Sequence, residues 1–255
     1  MSQKFAARTF NLPDNFLLMN NAVHVIPLGN LALTFIPVGI VIAIMLRWSL
    51  DAGGGLVAVA RMLLQLLLIG FVLNWIFAAE SPLIVLGLLL IMLSVASWIS
   101  LRPLEEHHWK DFGRSFVAIT LGGCLSLTLV VVLVLDVQPW YSARQVIPLA
   151  GMIFASSMNS VSIGAERLAA EFERNTDRHE ARRLAYQASL IPLLNSLLAV
   201  GLVSLPGMMT GQILSGVEPL IAARYQIMVM CMLTGASGIS TAIYLSLAIR
   251  HKTGN

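Results

Sequence analysis

The sequence predicts an all-α polytopic membrane protein of about seven transmembrane helices. Its N-terminus is expected outside, its C-terminus in the cytoplasm, and one segment broken or partly re-entrant. Three observations carry that reading. Of the 255 residues, 57% are hydrophobic and only 11% charged, against about 25% charged in soluble domains, too little charge to cover a globule of this size. Several windows bounded by charges run for about 20 apolar residues, the length that crosses bilayer hydrocarbon. The basic residues also segregate: 12 of the 16 Lys and Arg fall on one side of the alternating spans, leaving Lys4, Arg8, Arg144 and Arg224 on the other. Basic residues stay cytoplasmic, and the resulting placement of the two termini demands an odd number of crossings.

Taken in order, MSQKFAARTFNLPDNF has Lys4 and Arg8 but no continuous apolar run behind them, so it does not read as a cleaved signal peptide. Candidate spans follow at residues 28–46, 56–78, 82–100, 116–135, 146–163 and 226–249. Between the last two lies an apolar stretch, 188–216, too long for one untilted span and too short for two. It reads as one span to Leu205 followed by a broken or partly re-entrant piece, the seventh crossing in the count. Cys124 and Cys231 fall inside apolar windows and read as small buried hydrophobes rather than a disulfide framework. The whole of 1–255 reads as a single transmembrane domain.

One loop is longer than the rest. Residues 165–187, AERLAAEFERNTDRHEARRLAYQ, lack Gly and Pro and are rich in helix formers. Asn175 and Thr176 are N-cap types with Glu180 following, so two short helices are expected, the second entering the next span. Leu168 and Phe172 lie one turn apart and offer a small apolar face to a partner, the alternative being a plain solvated connector.

Several polar residues stand inside the spans, where they cost free energy and so become functional candidates. Arg61 and Gln65 share a helix face about one turn in from the cytoplasm, and either snorkel and bond a neighbouring helix or line the mouth of a route. A cation there repels a bare metal ion, so a gate fits better than a ligand. GMIFASSMNSVSIG packs Ser156, Ser157, Asn159, Ser160 and Ser162 between Gly151 and Gly164, which favours close helix approach, while Met158 beside Asn159 keeps a pathway reading open. Seven methionines, Met152, Met158, Met208, Met209, Met228, Met230 and Met232, fall in the last 105 residues. Thioethers suit soft ions, and flexible Met also fills irregular core space; packing is the favoured reading.

The sharpest local anomaly is VSLPGMMTGQILSG, residues 203–216. Pro206 removes a backbone donor, and Gly207 and Gly211 admit non-helical backbone. Irregular backbone at membrane depth survives only where protein or a wet cavity satisfies it. Pro206, Gly207, Met208, Met209 and Gly211 are therefore expected to border a translocation route, the competing account being an external loop.

Four blocks resemble a known family: RMLLQLLLIGFVLNWIF (61–77), SVASWISLRP (94–103), QVIPLAGMIFASSMNSVSIGAERL (145–168) and, most strongly, GLVSLPGMMTGQILSGVEPLIAARYQIMV (201–229). They are similar to the permease subunits of Fet-type iron-export ABC transporters and to plant aluminium-tolerance permeases. The resemblance covers nearly all of the chain after Leu56. It implies a permease homodimer in the bacterial inner membrane, driven by a cytoplasmic ABC ATPase subunit that would hold the ATP and Mg. The chain has no G-x-x-x-x-G-K-[ST] loop of its own, so no cofactor is expected on it, and no nucleic-acid partner. By the same likeness residues 165–187 become the coupling loop, with Arg167, Leu168, Phe172, Arg174 and Arg182 as contacts. Relatives carry a longer segment with a Leu-Gly-Ala-Thr-Pro-like turn there, which this chain lacks. If the cargo is iron, oxygen donors such as Asn159 or Glu218 suit it better than methionine.

Other classes fare less well. Gly235-Ala236-Ser237-Gly238 matches the G-x-S-G string of intramembrane serine proteases, but no histidine falls within a span to serve as base. Glu105-Glu106-His107-His108 places metal-binding types side by side, where adjacent residues point apart. An ATPase-independent secondary transporter or channel is the alternative; its internal repeat and mid-membrane acid pairs are absent from the sequence.

Overall fold

The computed structural model describes residues 26–78, 81–104 and 109–251. The string Glu105 to His108, Glu80 and everything before Ile26 lie outside the described residues. All the named elements are helical: α1 (Leu28–Leu33), α2 (Phe35–Arg47), α3 (Ala52–Ala78), α4 (Pro82–Ile99), α5 (Trp109–Thr128), α6 (Ala143–Glu173), α7 (Arg178–Ala199), α8 (Gly207–Leu214) and α9 (Pro219–His251). Six stretches are long and apolar enough to cross a membrane, α1 and α2 together counting as one of them.

Two compact units are distinguished, one of residues up to 66 with 214–216, the other of 67–213 with 217–255. In the first, the expected opening span is divided at Thr34, whose hydroxyl donates to the Leu31 carbonyl at 2.6 Å. Pro37 explains the division, because a proline ring collides with the carbonyl four residues back, here that of Leu33. Helix α3 starts at Ala52, four residues before the expected Leu56, because the Asp51 carboxylate accepts the Gly54 N–H at 2.7 Å. Within this unit neither α1 nor α2 has a buried residue.

The second unit is built around α6, half of whose apolar window is buried. Small residues bring its neighbours close. A Cβ at Gly122 of α5 would meet the backbone nitrogen of Ser240 on α9 at 2.7 Å, and one at Gly123 would meet Phe154 of α6 at 3.1 Å. Ser156 of α6 and Ser237 of α9 share a hydrogen bond of 2.7 Å, and Ser100 and Ser115 join α4 to α5 at 2.6 Å. The Ser156–Ser237 bond is the kind of contact the serine-rich fifth span was expected to make, and it accounts for the G-x-S-G string, whose Ser237 is fully buried. Met230 and Met232 are buried, and Met152, Met158, Met208 and Met228 pack against the core, as a gap-filling role requires. The cysteines correct their expectation: both are exposed, on α5 and α9, facing away from the core.

Pairing levels fix the directions. Gly164 of α6 faces Thr241 and Leu245 of α9 and Ser189 of α7; Gly122 and Ser126 of α5 face Ser240 and Gly235. Thus α6 and α9 run the same way, with α5 and α7 opposed, as alternating crossings demand. Aromatic groups mark the two membrane faces. Trp98, Trp109 and Phe112 cluster with centroids about 6 Å apart beside Lys110 and the Arg114–Asp111 ion pair of 2.6 Å, and Trp140 packs on Tyr141 at the opposite end. Beyond α5 the chain continues as a π-helical stretch, Leu129–Val134, a loosened form common where a helix is locally perturbed.

Helix α7 reaches less far than α6 on the side away from the hairpin. Ala199 lies about 15 Å beyond Ser189, whereas Ala143 lies about 32 Å beyond Gly164 at the same level. So α7 stops about 17 Å before the outer end of α6. Taken together, α7, the turn and α8 bring the count to about seven, beside the six stretches that qualify by themselves.

Candidate translocation route and coupling element

At the break, several backbone groups are paired internally. Gly201 takes φ 84°, its N–H reaches the Ser204 carbonyl at 2.9 Å, and the Ala199 carbonyl accepts Val203 and Ser204. The Pro206 carbonyl receives Thr210 N–H as α8 begins. Gly207 and Gly211 are therefore helical, contrary to expectation; the left-handed glycines are Gly201 and Gly216. Met208 packs on the core cluster and Met209 is half-buried, while Leu202 and Val203 at the turn are over 80% exposed. The segment is thus neither an unbroken helix nor detached from the body.

Arg61 and Gln65 share one exposed face of α3. Because the helix begins at Ala52, Arg61 stands about 13 Å along it rather than one turn in, and Gln65 about 20 Å. Among the described residues neither has a hydrogen-bond or ion-pair partner. Arg61 reaches the interface only by extending its stem; Gln65 stands too deep for that, among exposed leucines. An amide so placed needs a polar neighbour from another chain or from water.

On α6, Met158 turns inward and Asn159 outward. Ala155, Asn159 and Glu166 form an uncovered stripe along a helix otherwise central to its unit. Asn195 of α7, which the sequence reading passed over, is also exposed. From the Gly164–Ser189 level, Asn159 and Asn195 lie about 8 and 9 Å toward the outer face, so two amides stand at one depth. Two further glutamines were missed as well. Gln226, taken as the boundary of the last span, sits two turns inside α9 and is buried, and its side-chain oxygen, like that of Gln212 on α8, has no partner among the described residues. Among those residues no three His, Cys, Asp or Glu side chains gather as a metal site.

The cytoplasmic loop is a hairpin of two long helices, not two short ones. α6 runs unbroken from its membrane span to Glu173, and α7 starts at Arg178. Asn175 is not an N-cap: it takes φ 57° and ends α6, the left-handed closing role that Asn tolerates. Asp177 is the cap, accepting His179 N–H at 3.0 Å. At the centre lies Glu171, 3% exposed, paired with Arg167 at 2.6 Å and Arg174 at 3.5 Å and accepting the Thr176 hydroxyl at 2.7 Å. Leu168 and Phe172 pack into the protein's own core, so they brace the hairpin instead of presenting an apolar face. Arg182 stands apart from these four, on the side of α7 toward α9.

The cap carries its own test. The N–H groups of His179 and Glu180 hold the Asp177 carboxyl below its ordinary range. A depressed carboxylate adds stability above its unfolded pKa of about 3.9 and loses it as pH falls through the folded value. Hydrogen exchange in the first turn of α7 should stay slow down to about pH 4 and accelerate below it. In Asp177→Ala that turn should exchange fast throughout; a pH-independent wild type would discount the cap.

The family model described as "Uncharacterised protein family (UPF0014)" matches residues 28–184 and 178–252. The chain is 37% identical to the UPF0014 membrane protein slr1647 of Synechocystis, over 81% of this chain and 86% of that one. It is 34% identical to the probable iron export permease protein FetB of Escherichia coli, over 76% and 79%, and 31% identical to the protein ALUMINUM SENSITIVE 3 of Arabidopsis thaliana, over 81% of each. No solved structure matches it. With six apolar membrane-length helices and a family match over most of its length, this chain is a multi-pass membrane protein and belongs to the UPF0014 family.

Proposed function

We propose that this chain is the permease subunit of an ATP-driven metal-ion exporter of the bacterial inner membrane, working as a homodimer with a separate cytoplasmic ABC ATPase. The observation that carries the reading is the hairpin. α6 spans 31 residues, about 46 Å of helix against about 30 Å of hydrocarbon, so its last turns stand in the cytoplasm. A push on the hairpin tip, gripped by Glu171, moves two membrane helices directly. Arg174 at the tip is the ATPase contact, with Arg167, Leu168 and Phe172 holding the shape; Arg182, which turns toward α9, is left out of that contact.

The route follows the uncovered polar groups. In the first unit Arg61 and Gln65 are the gate candidates; within the second, Asn159 and Asn195 offer amide oxygens, and α7 stops short so that the Pro206–Gly211 segment yields when the hairpin moves. A second copy covering these faces removes the cost of polar groups in lipid. The name of one relative speaks of iron export and that of another of aluminium sensitivity, which supports a metal-ion cargo for oxygen donors.

The test is reconstitution of the full chain in liposomes with and without an ATPase subunit that co-purifies with it. Metal should stimulate ATP hydrolysis, and export should require both subunits. Export that continues undiminished without any ATPase would replace this reading with a secondary transporter.

A further inference from the structure

A groove of about 430 Å³ lies between α7 and α9, away from the polar faces assigned to the route. His179, Arg182, Arg183 and Tyr186 line it from α7, and Ala242, Leu245 and Ser246 from α9. Its chemistry changes with depth. Ala242 and Leu245 stand near the Gly164–Ser189 level, where the apolar spans end. Measured from Ser189 along α7, Tyr186 lies about 5 Å, Arg182 about 10 Å and His179 about 15 Å toward the cytoplasm. The cations thus begin where bilayer headgroups begin, and the walls below them are apolar.

The cations differ in readiness. Arg183 is held by Glu180 through two bonds of 2.6 and 2.8 Å. Arg182 has no carboxylate partner among the described residues, and its guanidinium presents a fork suited to phosphate. Ser246 spends its proton on the Ala242 carbonyl at 2.7 Å, leaving Arg182, His179 and the Tyr186 hydroxyl as donors. A soluble anion would gain nothing from the apolar walls beneath.

We propose that this groove binds the phosphodiester headgroup of an anionic phospholipid of the cytoplasmic leaflet, the upper acyl carbons lying against the exposed Ala242. Anionic lipid is the abundant negative partner at this depth, and each basic residue near the surface gains about 1 kcal/mol from it. A lipid seated there would brace the base of α7 against α9.

The experiment uses the purified full chain in neutral detergent, titrated with fluorescent phosphatidylglycerol and with phosphatidylcholine of the same chain length. Phosphatidylglycerol should bind more tightly, and Arg182→Gln should weaken it by about fivefold while leaving phosphatidylcholine unchanged. Ala242→Phe, which fills the groove and removes no charge, should weaken it too, and serves if Arg182→Gln does not fold. Arg102→Gln, outside the groove, controls for general surface charge. Equal binding of the two lipids, or an Arg182→Gln loss no greater than that of Arg102→Gln, would overturn the site. Displacement of the lipid by inorganic phosphate in excess would reassign it to a soluble anion.

Discussion

Glu171→Ala is expected to lower the stability of the purified chain by about 2–3 kcal/mol and to uncouple ATP hydrolysis from transport. The side chain is 4% exposed, so its loss leaves the Arg167 guanidinium and the Thr176 hydroxyl without their shared acceptor. Breaking a buried pair from one side costs about 3–5 kcal/mol; the lower figure allows for Arg167, which is 37% exposed and regains water. Arg174, at 66% exposure, adds little. Thermal unfolding measures the first effect, and metal moved per ATP hydrolysed the second. Glu171→Gln retains an oxygen for Thr176 and should recover part of both. Unchanged melting together with unchanged coupling in Glu171→Ala would mean that the hairpin is not gripped by this residue.

Gly122→Ala is expected to fail in assembly rather than in transport. The new methyl would meet Ser240 nitrogen at 2.7 Å and Ala236 oxygen at 2.9 Å, with the Ser240 hydroxyl closer still. Two of these atoms are backbone, so no rotamer change relieves the overlap and α5 must part from α9. Overpacking of this kind costs about 1–3 kcal/mol, and Gly122→Val should cost more. Gly113→Ala on the same helix meets nothing within 4 Å and should gain up to about 1 kcal/mol of helix propensity. Yield of monodisperse protein and melting temperature separate the two; equal behaviour would contradict the close α5–α9 contact.

Much of the architecture was legible before any coordinates. Hydropathy located the spans because hydrocarbon excludes charge whatever the neighbouring helices do. Element ends were less legible. α9 begins at Pro219, not Gln226, and α3 at Ala52, not Leu56, since a helix continues past the bilayer wherever its backbone bonds can be made. Proline and glycine in residues 203–216 announced a break but misplaced it: the turn falls at Val200 to Ser204, and Gly207 and Gly211 sit inside a helix. Glycine permits left-handed backbone without requiring it, so its presence marks freedom and not use.

The sequence by itself determined that this chain lives in a membrane as an all-helical, multi-pass protein and roughly where its apolar spans lie, because those properties depend on transfer between water and hydrocarbon and need no partner helix. Only the tertiary structure decided that Leu168 faces inward, that Glu171 knots the hairpin, that α7 stops short of the end of α6, and that Asn159 and Asn195 share a level. Each of these depends on the level at which one helix meets another. That level is set by where small residues let backbones touch, as at Gly122 and Gly164, a relation between distant stretches of chain that no local pattern records.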